Sequence, residues 1–286
     1  MLARYKGVEF GGRRGNLIIS GFDPSAPEIR SNDHPKPFGD GSLAGRDYLG
    51  EASWTFELST NRRDEVGALV TAGALVSAWR DPKVRLKPNV TVPLSYMVAG
   101  RWRRVYGRPG QITDPVSDVH ATLGVGKIVA SFRVLDPNFY DDAETKVRLT
   151  IVPESSGGII TPLVTPLSTR MNNGRRAGLV ENLGDVASPL TVTFHGPARN
   201  PKIKATAGWE IGITGTLAYD QSVTVDARAG TVTRNDGASL PGWLTRATQL
   251  SKAVIPAGKS DLTFTAIDST GTAAVDLSWR NSYSSI

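Results

Sequence analysis

The chain has 286 residues, enough for two domains that each bury their own core. It contains no cysteine, which excludes disulfides, thiolate nucleophiles and cysteine-based zinc sites. Lys and Arg outnumber Asp and Glu by only 33 to 27, and the excess lies in short, separated clusters, which argues against a sequence-specific nucleic-acid binder.

The first 60 residues predict strands and loops. Residues 10–50 are crowded with turn formers, such as Gly11-Gly12 and Asp23-Pro24, and only short apolar runs lie between them. Tyr48–Leu58 then places Ala, Trp, Phe and Leu at every second position. This period of two is typical of a strand with one buried face.

One substantial helix is predicted over about residues 62–80. Thr60 or Asn61 can cap its first turn, and apolar residues from Val66 to Trp79 recur at three- and four-residue spacing. Asp81-Pro82 ends the helix. Because an isolated helix of this length is marginal in water, we expect it to lie across a sheet.

Further strands complete the first domain. They are predicted at Val84–Leu86, Thr91–Val98, Arg101–Tyr106, Val116–Leu123 and Lys127–Leu135. Pro93 assigns the second of these to a sheet edge or a bulge, because proline donates no backbone hydrogen bond. Ala99-Gly100 predicts a two-residue hairpin turn, and this hairpin is a candidate arm for pairing with a neighbouring subunit.

The domain boundary is predicted after the strand that Asp136-Pro137 ends. We assign residues 1–150 to a first domain, 151–180 to a connector rich in Pro, Gly, Ser, Thr and Asn, and 181–286 to a second domain. Trypsin is expected to cut the connector at Arg175 or Arg176.

Short strands separated by turns predict that the second domain is a β-sandwich. They are Thr191–His195, Lys202–Thr206, Glu210–Ile213, Thr216–Tyr219, Ser222–Asp226, Thr231–Arg234, Asp261–Ala266 and Ala273–Trp279. The whole chain is therefore predicted to be mainly β, with two β-sandwich-type domains of which the first carries the helix. The pattern leaves open whether the last strand, 273–286, belongs to the second domain or returns to the first.

We expect no catalytic residue, cofactor site or metal site. His34, His120 and His195 lack a second histidine or a carboxylate at ligand spacing. No G-x-S-x-G occurs, and Gly124–Lys127 lacks both the Ser/Thr and the following helix of a phosphate loop. The N-terminus has no leader-like apolar core, and no apolar run approaches 18 residues, so we expect neither a cleaved leader nor membrane insertion.

A glycan-directed function is the alternative. The second domain has a lectin-like outline, and Trp209, Tyr219 and Trp243 could stack on a sugar or fill the core. Its acidic residues are scattered singly, at Glu210, Asp220, Asp226 and Asp236, which favours a binding module over a glycosidase.

Three groups of motifs resemble one known family. The first is Gly21-Phe22-Asp23-Pro24, Ile29-Arg30, Gly39-Asp40-Gly41 and Gly45; the second is Val105–Pro109 and Asp136–Tyr140; the third is Asn182–Asp185, Pro189–Val192, Gly196–Ala198, Asn200–Ile203, Val225-Asp226, Thr231-Val232 and Pro256–Gly258. Their order along nearly the whole chain resembles that in the distal tail proteins of long, flexible-tailed bacteriophages, a family of phage tail or minor tail proteins.

The resemblance implies a structural virion protein rather than an enzyme. In this family an N-terminal β domain with one helix assembles as a hexameric ring at the end of the tail tube, and a galectin-like or carbohydrate-binding-module-like sandwich faces outward. The implied partners are further copies of the chain, the tail tube protein, and the tail-tip hub or baseplate with other minor tail proteins. The implied location is the distal end of the virion tail, and the host cytoplasm during assembly. Weak contact with host-surface glycans remains open.

Overall fold

A computed structural model describes residues 1–12, 14–114, 119–151, 174–268 and 270–285. The chain divides into two compact units, Met1–Asp142 with Ser284–Ile286, and Ala143–Tyr283. Antiparallel strands dominate both units, and the one long helix among these residues lies in the first unit, which confirms the predicted mainly β fold class.

The described residues of the first unit form twelve strands, two helices and a short 3₁₀ helix. Its elements are β1 (Leu2–Tyr5), β2 (Val8–Gly11), β3 (Leu17–Pro24), β4 (Ile29–Arg30), β5 (His34–Pro35), β6 (Ser42–Leu43), β7 (Tyr48–Leu49), β8 (Ala52–Thr60), α1 (Glu65–Trp79), α2 (Pro82–Arg85), β9 (Val92–Val98), β10 (Arg101–Ile112), the 3₁₀ helix (Val119–Leu123), β11 (Lys127–Val134) and β12 (Phe139–Asp141).

The main sheet of the first unit curls around its core. Its strands follow the order β2-β1-β9-β10-β11-β8-β3, and β12 pairs with β10. Phe10 on the edge strand β2 lies 5.5 Å, between ring centroids, from Phe56 on β8 near the opposite edge. Trp54 on β8 lies 5.2 Å from Tyr96 on β9 in the same way. Such contacts between strands that are distant in the sheet order require a strongly bent sheet.

Helix α1 lies against this sheet, as its apolar spacing predicts. The Asp64 carboxylate caps it by accepting a hydrogen bond from the Gly67 amide at 3.2 Å. Asp64 takes the place expected for Thr60 or Asn61, because Thr60 belongs to β8 and its hydroxyl bridges the backbone of Gly124 and Gly126. At the other end the Trp79 indole donates to the Ser131 carbonyl at 3.0 Å, which fixes the helix on β11.

Two predicted strands are helical in the structure. Val84–Leu86 was expected to be extended, but Pro82–Arg85 forms α2, with Pro82 in the first turn and the Asp81 carboxylate accepting the Lys83 amide at 2.8 Å. Val116–Leu123 was expected to be a strand, and its described part, Val119–Leu123, is a 3₁₀ helix. Local capping outweighs the short apolar runs in α2.

Thirteen strands and two 3₁₀ helices are formed by the part of the second unit that the structure describes. Its elements are β13 (Thr145–Thr150), β14 (Gly174–Asn182), β15 (Ser188–Pro189), β16 (Thr191–His195), β17 (Ala198–Ala205), β18 (Glu210–Gly212), β19 (Thr216–Leu217), β20 (Ser222–Asp226), β21 (Thr231–Arg234), the 3₁₀ helices Pro241–Trp243 and Leu250–Lys252, β22 (Val254–Ile255), β23 (Gly258–Ile267), β24 (Ala274–Trp279) and β25 (Ser282–Tyr283).

Two five-stranded sheets enclose the core of the second unit. One has the order β13-β24-β16-β20-β21, and the other has the order β14-β23-β17-β18, with β19 paired to β17. Phe194 from the first sheet stacks on Phe264 from the second, with 6.3 Å between ring centroids and 30° between ring planes. Both rings are fully buried. This is the sandwich that the strand spacing predicts.

The division of the chain differs from the predicted boundaries at 150 and 180. Thr145–Thr150 forms β13 and pairs along its whole length with β24, so it belongs to the second unit. Arg175 and Arg176, expected in the connector, lie in β14, which pairs with β23 from Gly174 to Asn182. Residues 152–173 of the predicted connector lie outside the described residues. The strand Ala274–Trp279, whose placement the sequence left open, lies between β13 and β16 of the second unit.

The Asn182–Asp185 motif has a structural explanation. The Asn182 side chain is buried, donates to the carbonyls of Val186 and Ile255, and accepts from the Gly184 amide. A Cβ on Gly184 would lie 1.8 Å from the Ser282 carbonyl oxygen. Only glycine fits there, so this motif holds a crossing of three chain segments together.

Candidate functional site

The described residues show no metal-binding cluster. They contain no group of three His, Cys, Asp or Glu side chains placed to hold a metal ion. His34 lies in the exposed strand β5, and His120 lies in the 3₁₀ helix. His195 ends β16, where its Nε2 lies 2.8 Å from Asp276 Oδ2. None of the described helices is long and apolar enough to span a bilayer.

Three of the carboxylates weighed as glycosidase acids have local structural partners. Glu210 pairs with Lys204 at 3.1 Å. Asp226 accepts backbone amides from the turn that follows β20. A hydrogen bond from Arg234 lowers the pKa of Asp236 to about 2. Asp220 lies in the exposed turn between β19 and β20.

The three aromatic residues considered for sugar stacking have different environments. Trp209 is only 7% exposed, and its indole donates to the Val254 carbonyl at 2.7 Å, so it belongs to the core. Trp243 is partly buried and packs over Gly215. Tyr219 is 81% exposed. Because Trp209 is buried, it has no free face on which a sugar could stack. Of the two alternatives that the sequence left open, Trp209 therefore follows the one in which the aromatic ring fills the core.

Gly124–Lys127 is a turn that leads into β11. Gly124 has a φ of +84°, and its carbonyl accepts the Arg62 amide at 3.1 Å. Lys127 is the first residue of the strand. The segment therefore has the turn role that the sequence favours over a phosphate loop.

A long exposed excursion between β3 and β8 is the most unusual feature of the first unit. Residues 25–51, which we call the arm, form two short ladders in succession, β4 with β7 and β5 with β6. Near its base the Ser25 hydroxyl donates to the Ser53 carbonyl at 2.6 Å. Its exposed apolar side chains are Ile29, Phe38, Leu43, Tyr48 and Leu49. Phe38, close to the tip, is 91% exposed.

The arm cannot bury these side chains against itself. Each of its ladders pairs only two residues per strand, and an isolated two-stranded hairpin is marginal in water. Contiguous exposed apolar side chains mark contact sites on soluble proteins. The arm therefore has the character of a segment that another surface covers.

Helix α1 exposes a second apolar surface. From Val66 to Trp79 it carries no charged residue. Its outward side, which we call the helix outer face, consists of Val66, Val70, Gly73, Ala74 and Ser77, all exposed. Val66 and Val70 are 69% and 67% exposed. A helix with no charged residue on any side is normally buried all round, but the described residues of this chain leave this face uncovered.

Gly73 shows how flat the helix outer face is. A Cβ added at Gly73 would meet no atom within 4 Å, so nothing inside the described chain requires glycine there. Glycine in a helix interior costs about 1 kcal/mol relative to alanine. Because glycine at position 73 destabilises the helix and is not needed for packing against the described residues, we infer that another molecule approaches the helix closely at this point.

A cavity of about 560 Å³ opens at the carboxyl end of α1. Its walls are Trp79, Arg80, Val84, Arg85, Arg108, Pro109, Gly110, Gln111, Ile112, Thr113 and Arg133. Four of these residues are arginines and none is acidic. Arg133 pairs with Glu51 at 2.6 Å. Among the described residues, no carboxylate pairs with Arg80, Arg85 or Arg108.

The hairpin proposed as an arm from the sequence exists but lies within the sheet. Ala99 and Gly100 both have positive φ, as a two-residue hairpin turn requires. Strand β9 pairs with β1 on one side and β10 on the other, and Pro93 lies beyond the residues that pair with β1. The free arm is instead residues 25–51, whose two-residue strands give no periodic signal.

No family model and no curated protein matches the sequence. The fold is nevertheless similar to solved structures from phages. The crystal structure of the Dit protein of phage SPP1, described as a paradigm of the hub adsorption apparatus in phages that infect Gram-positive bacteria, matches with a TM-score of 0.58 and 12% identity, and the match covers 98% of each chain.

Chains of the phage p2 baseplate in its activated conformation match as well. The structure with Sr gives a TM-score of 0.56 at 9% identity, covering 94% of this chain and 97% of the other. The structure with Ca gives 0.53 at 10% identity, covering 91% and 93%. At these identities the comparisons show a shared fold that extends over both units.

Proposed function

We propose that this chain is a structural protein of a phage tail tip, without catalytic activity, whose first units assemble into a ring. The main support is that chains of phage hub and baseplate structures share the fold of this chain across both units; the match to SPP1 Dit covers 98% of each chain. The motif series in the sequence resembles the distal tail family independently of the fold. That family implies six copies in the ring.

The exposed surfaces of the first unit support a head-to-tail ring. The arm and the helix outer face are different surfaces, and no described residue of the chain covers either of them. Contact between unlike surfaces on identical subunits repeats around an axis and closes into a ring when the rotation allows it. A ring uses both surfaces on every copy, whereas a two-fold dimer would join like surfaces.

The ring would connect two different structures of the tail. On one side it would meet the tail tube protein, and on the other the tail-tip hub or baseplate with other minor tail proteins. The second unit would face outward as a galectin-like sandwich. The site of action is the distal end of the virion tail, with assembly in the host cytoplasm.

Light scattering and electron microscopy test this proposal. The purified chain, alone at high concentration or mixed with its tube protein, should form hexamers that appear as rings. The double variant Val66→Asp, Val70→Asp should remain monomeric, because each carboxylate would be buried unpaired in the contact. Leu179→Asp, at an exposed apolar residue of the second unit, is the matched control and should assemble normally. A wild-type chain that stays monomeric under both conditions contradicts the proposal.

A further inference from the structure

We propose that Phe38-Gly39-Asp40, near the tip of the arm, binds in the arginine-lined cavity of a second copy of the chain. This inference rests on the proposed ring and names one of its contacts. The cavity and the arm tip belong to the first unit, so every copy would carry one of each.

The cavity offers two kinds of wall. The apolar part is small: Pro109 is partly exposed, whereas Trp79, Val84 and Ile112 reach the cavity only with the 3–9% of their surface that is not buried in the core. The arginines supply a cationic part, with Arg85 exposed at the end of α2. A ligand that fits both parts carries an apolar ring and an anionic group close together.

Most of the positive charge in the cavity is uncompensated. Arg80 donates to the Ile112 carbonyl at 3.3 Å, and Arg108 donates to the carbonyls of Val84, Arg85 and Lys87. These neutral partners hold the two guanidinium groups in place but cancel no charge. Because arginines held near one another repel, a carboxylate that enters the cavity relieves this repulsion and forms charge-assisted hydrogen bonds.

The tip of the arm carries the complementary groups. Phe38 is 91% exposed and Asp40 follows two residues later, at the turn that joins β5 to β6. Gly39 and Gly41 both have positive φ, a conformation that other residues rarely adopt and that allows the tight turn. The arm therefore presents an aromatic ring and a carboxylate together on a narrow turn.

A second copy is the proposed occupant because no described residue of the same chain covers the tip. Phe38 is the most exposed large hydrophobic residue of the described chain, so its own cavity does not hold it. A tip that leaves one subunit and a cavity that accepts it on the next make a contact between unlike surfaces, which is the type that forms rings.

Peptide binding tests the contact directly. A fluorescein-labelled peptide of residues 31–45 should bind the full chain saturably at concentrations where the chain is monomeric. Phe38→Ala in the peptide should weaken binding by about tenfold or more, as expected for a buried aromatic anchor. Asp40→Asn in the peptide and Arg85→Glu in the chain should each weaken it as well. Lys87→Glu makes the same charge change outside the cavity walls and should leave binding unaltered.

Mixing two defective chains tests the geometry in the intact protein. Phe38→Ala retains its cavity, and Arg85→Glu retains its arm tip. Each should be monomeric alone where the wild type assembles, and an equimolar mixture should stop at dimers, because only one intact contact remains per pair. Asp40→Asn serves as a second arm variant.

The outcomes separate this inference from the ring itself. If the Phe38→Ala and Asp40→Asn chains form rings as well as the wild-type chain does, the proposed contact is wrong and the ring remains supported. The same conclusion follows if the peptide fails to bind up to millimolar concentration. Equal peptide binding to the wild-type and Arg85→Glu chains would also overturn it. A wild-type chain that never forms rings would instead refute the proposed function.

Discussion

Replacing Gly73 by alanine should stabilise the isolated chain and at the same time weaken its assembly. The added methyl group meets no atom within 4 Å inside the described chain, and the residue does not have a positive φ. Only the gain in helix propensity then remains, which is about 1 kcal/mol for alanine over glycine in a helix interior. For a unit of this size such a gain raises the midpoint of thermal unfolding by about 3–4 °C.

The assembled state should respond in the opposite direction. If a neighbouring subunit lies directly on the helix outer face, the methyl group must displace atoms of that neighbour. Overpacking of a close contact costs about 1–3 kcal/mol. One such cost at each contact lowers the association constant for that contact by about five- to 150-fold.

Scanning calorimetry of the dilute chain and light scattering over a concentration series measure the two effects separately. Ser77→Ala is the matched control, because it raises helix propensity on the same face without adding volume. It should stabilise the chain by a few tenths of a kcal/mol and leave assembly intact. Destabilisation of the isolated chain by Gly73→Ala would refute the reasoning about open space, and undiminished assembly would refute close contact at this face.

Other parts of the chain give three further expectations. The Tyr96 hydroxyl is buried without a partner among the described residues, so Tyr96→Phe should raise the free energy of unfolding in urea by about 1 kcal/mol, whereas a comparable loss would reveal a hydrogen-bond partner. Burial raises the pKa of Asp142, but the hydrogen bonds from Ser95 and Arg104 lower it by more, so the net pKa lies below its usual range. Its contribution is therefore present above about pH 4 and lost as the pH falls through the lowered pKa, so Asp142→Asn should cost about 1–2 kcal/mol at pH 7 and little at pH 2. Limited trypsin digestion should spare Arg175, because β14 is paired with β23 along its length; early cleavage there, detected by mass spectrometry, would contradict that pairing.

The long, regular elements of this fold were predictable from the sequence. Alternation over nine residues locates β8, three- and four-residue spacing locates α1, and Asp136-Pro137 follows the end of β11. In β8 and α1, apolar residues recur at the period of the element over several turns or strand residues, so the sequence shows directly which face is buried. Such elements need no knowledge of their partners.

The elements that sequence reasoning missed depend on partners distant in the chain. Thr145–Thr150 alternates Val147 and Leu149 with Lys146 and Arg148, but only its pairing with β24, more than 120 residues later, places it in the second unit. The arm has strands of two residues, and the cavity combines α1, α2 and β10 with a single arginine of β11. Gly73 and Phe38 indicate contact surfaces only once the structure shows that they are exposed.

The pairing of β13 with β24 brings the two ends of the second unit side by side. Thr145, just after the chain enters this unit, lies opposite Trp279, just before it leaves. A folded module whose entry and exit are adjacent can be replaced by another module with the same spacing, because the rest of the chain need not change its path. The sandwich is therefore an exchangeable cassette, and protein engineering can use the same junctions to attach a different domain to an unchanged first unit.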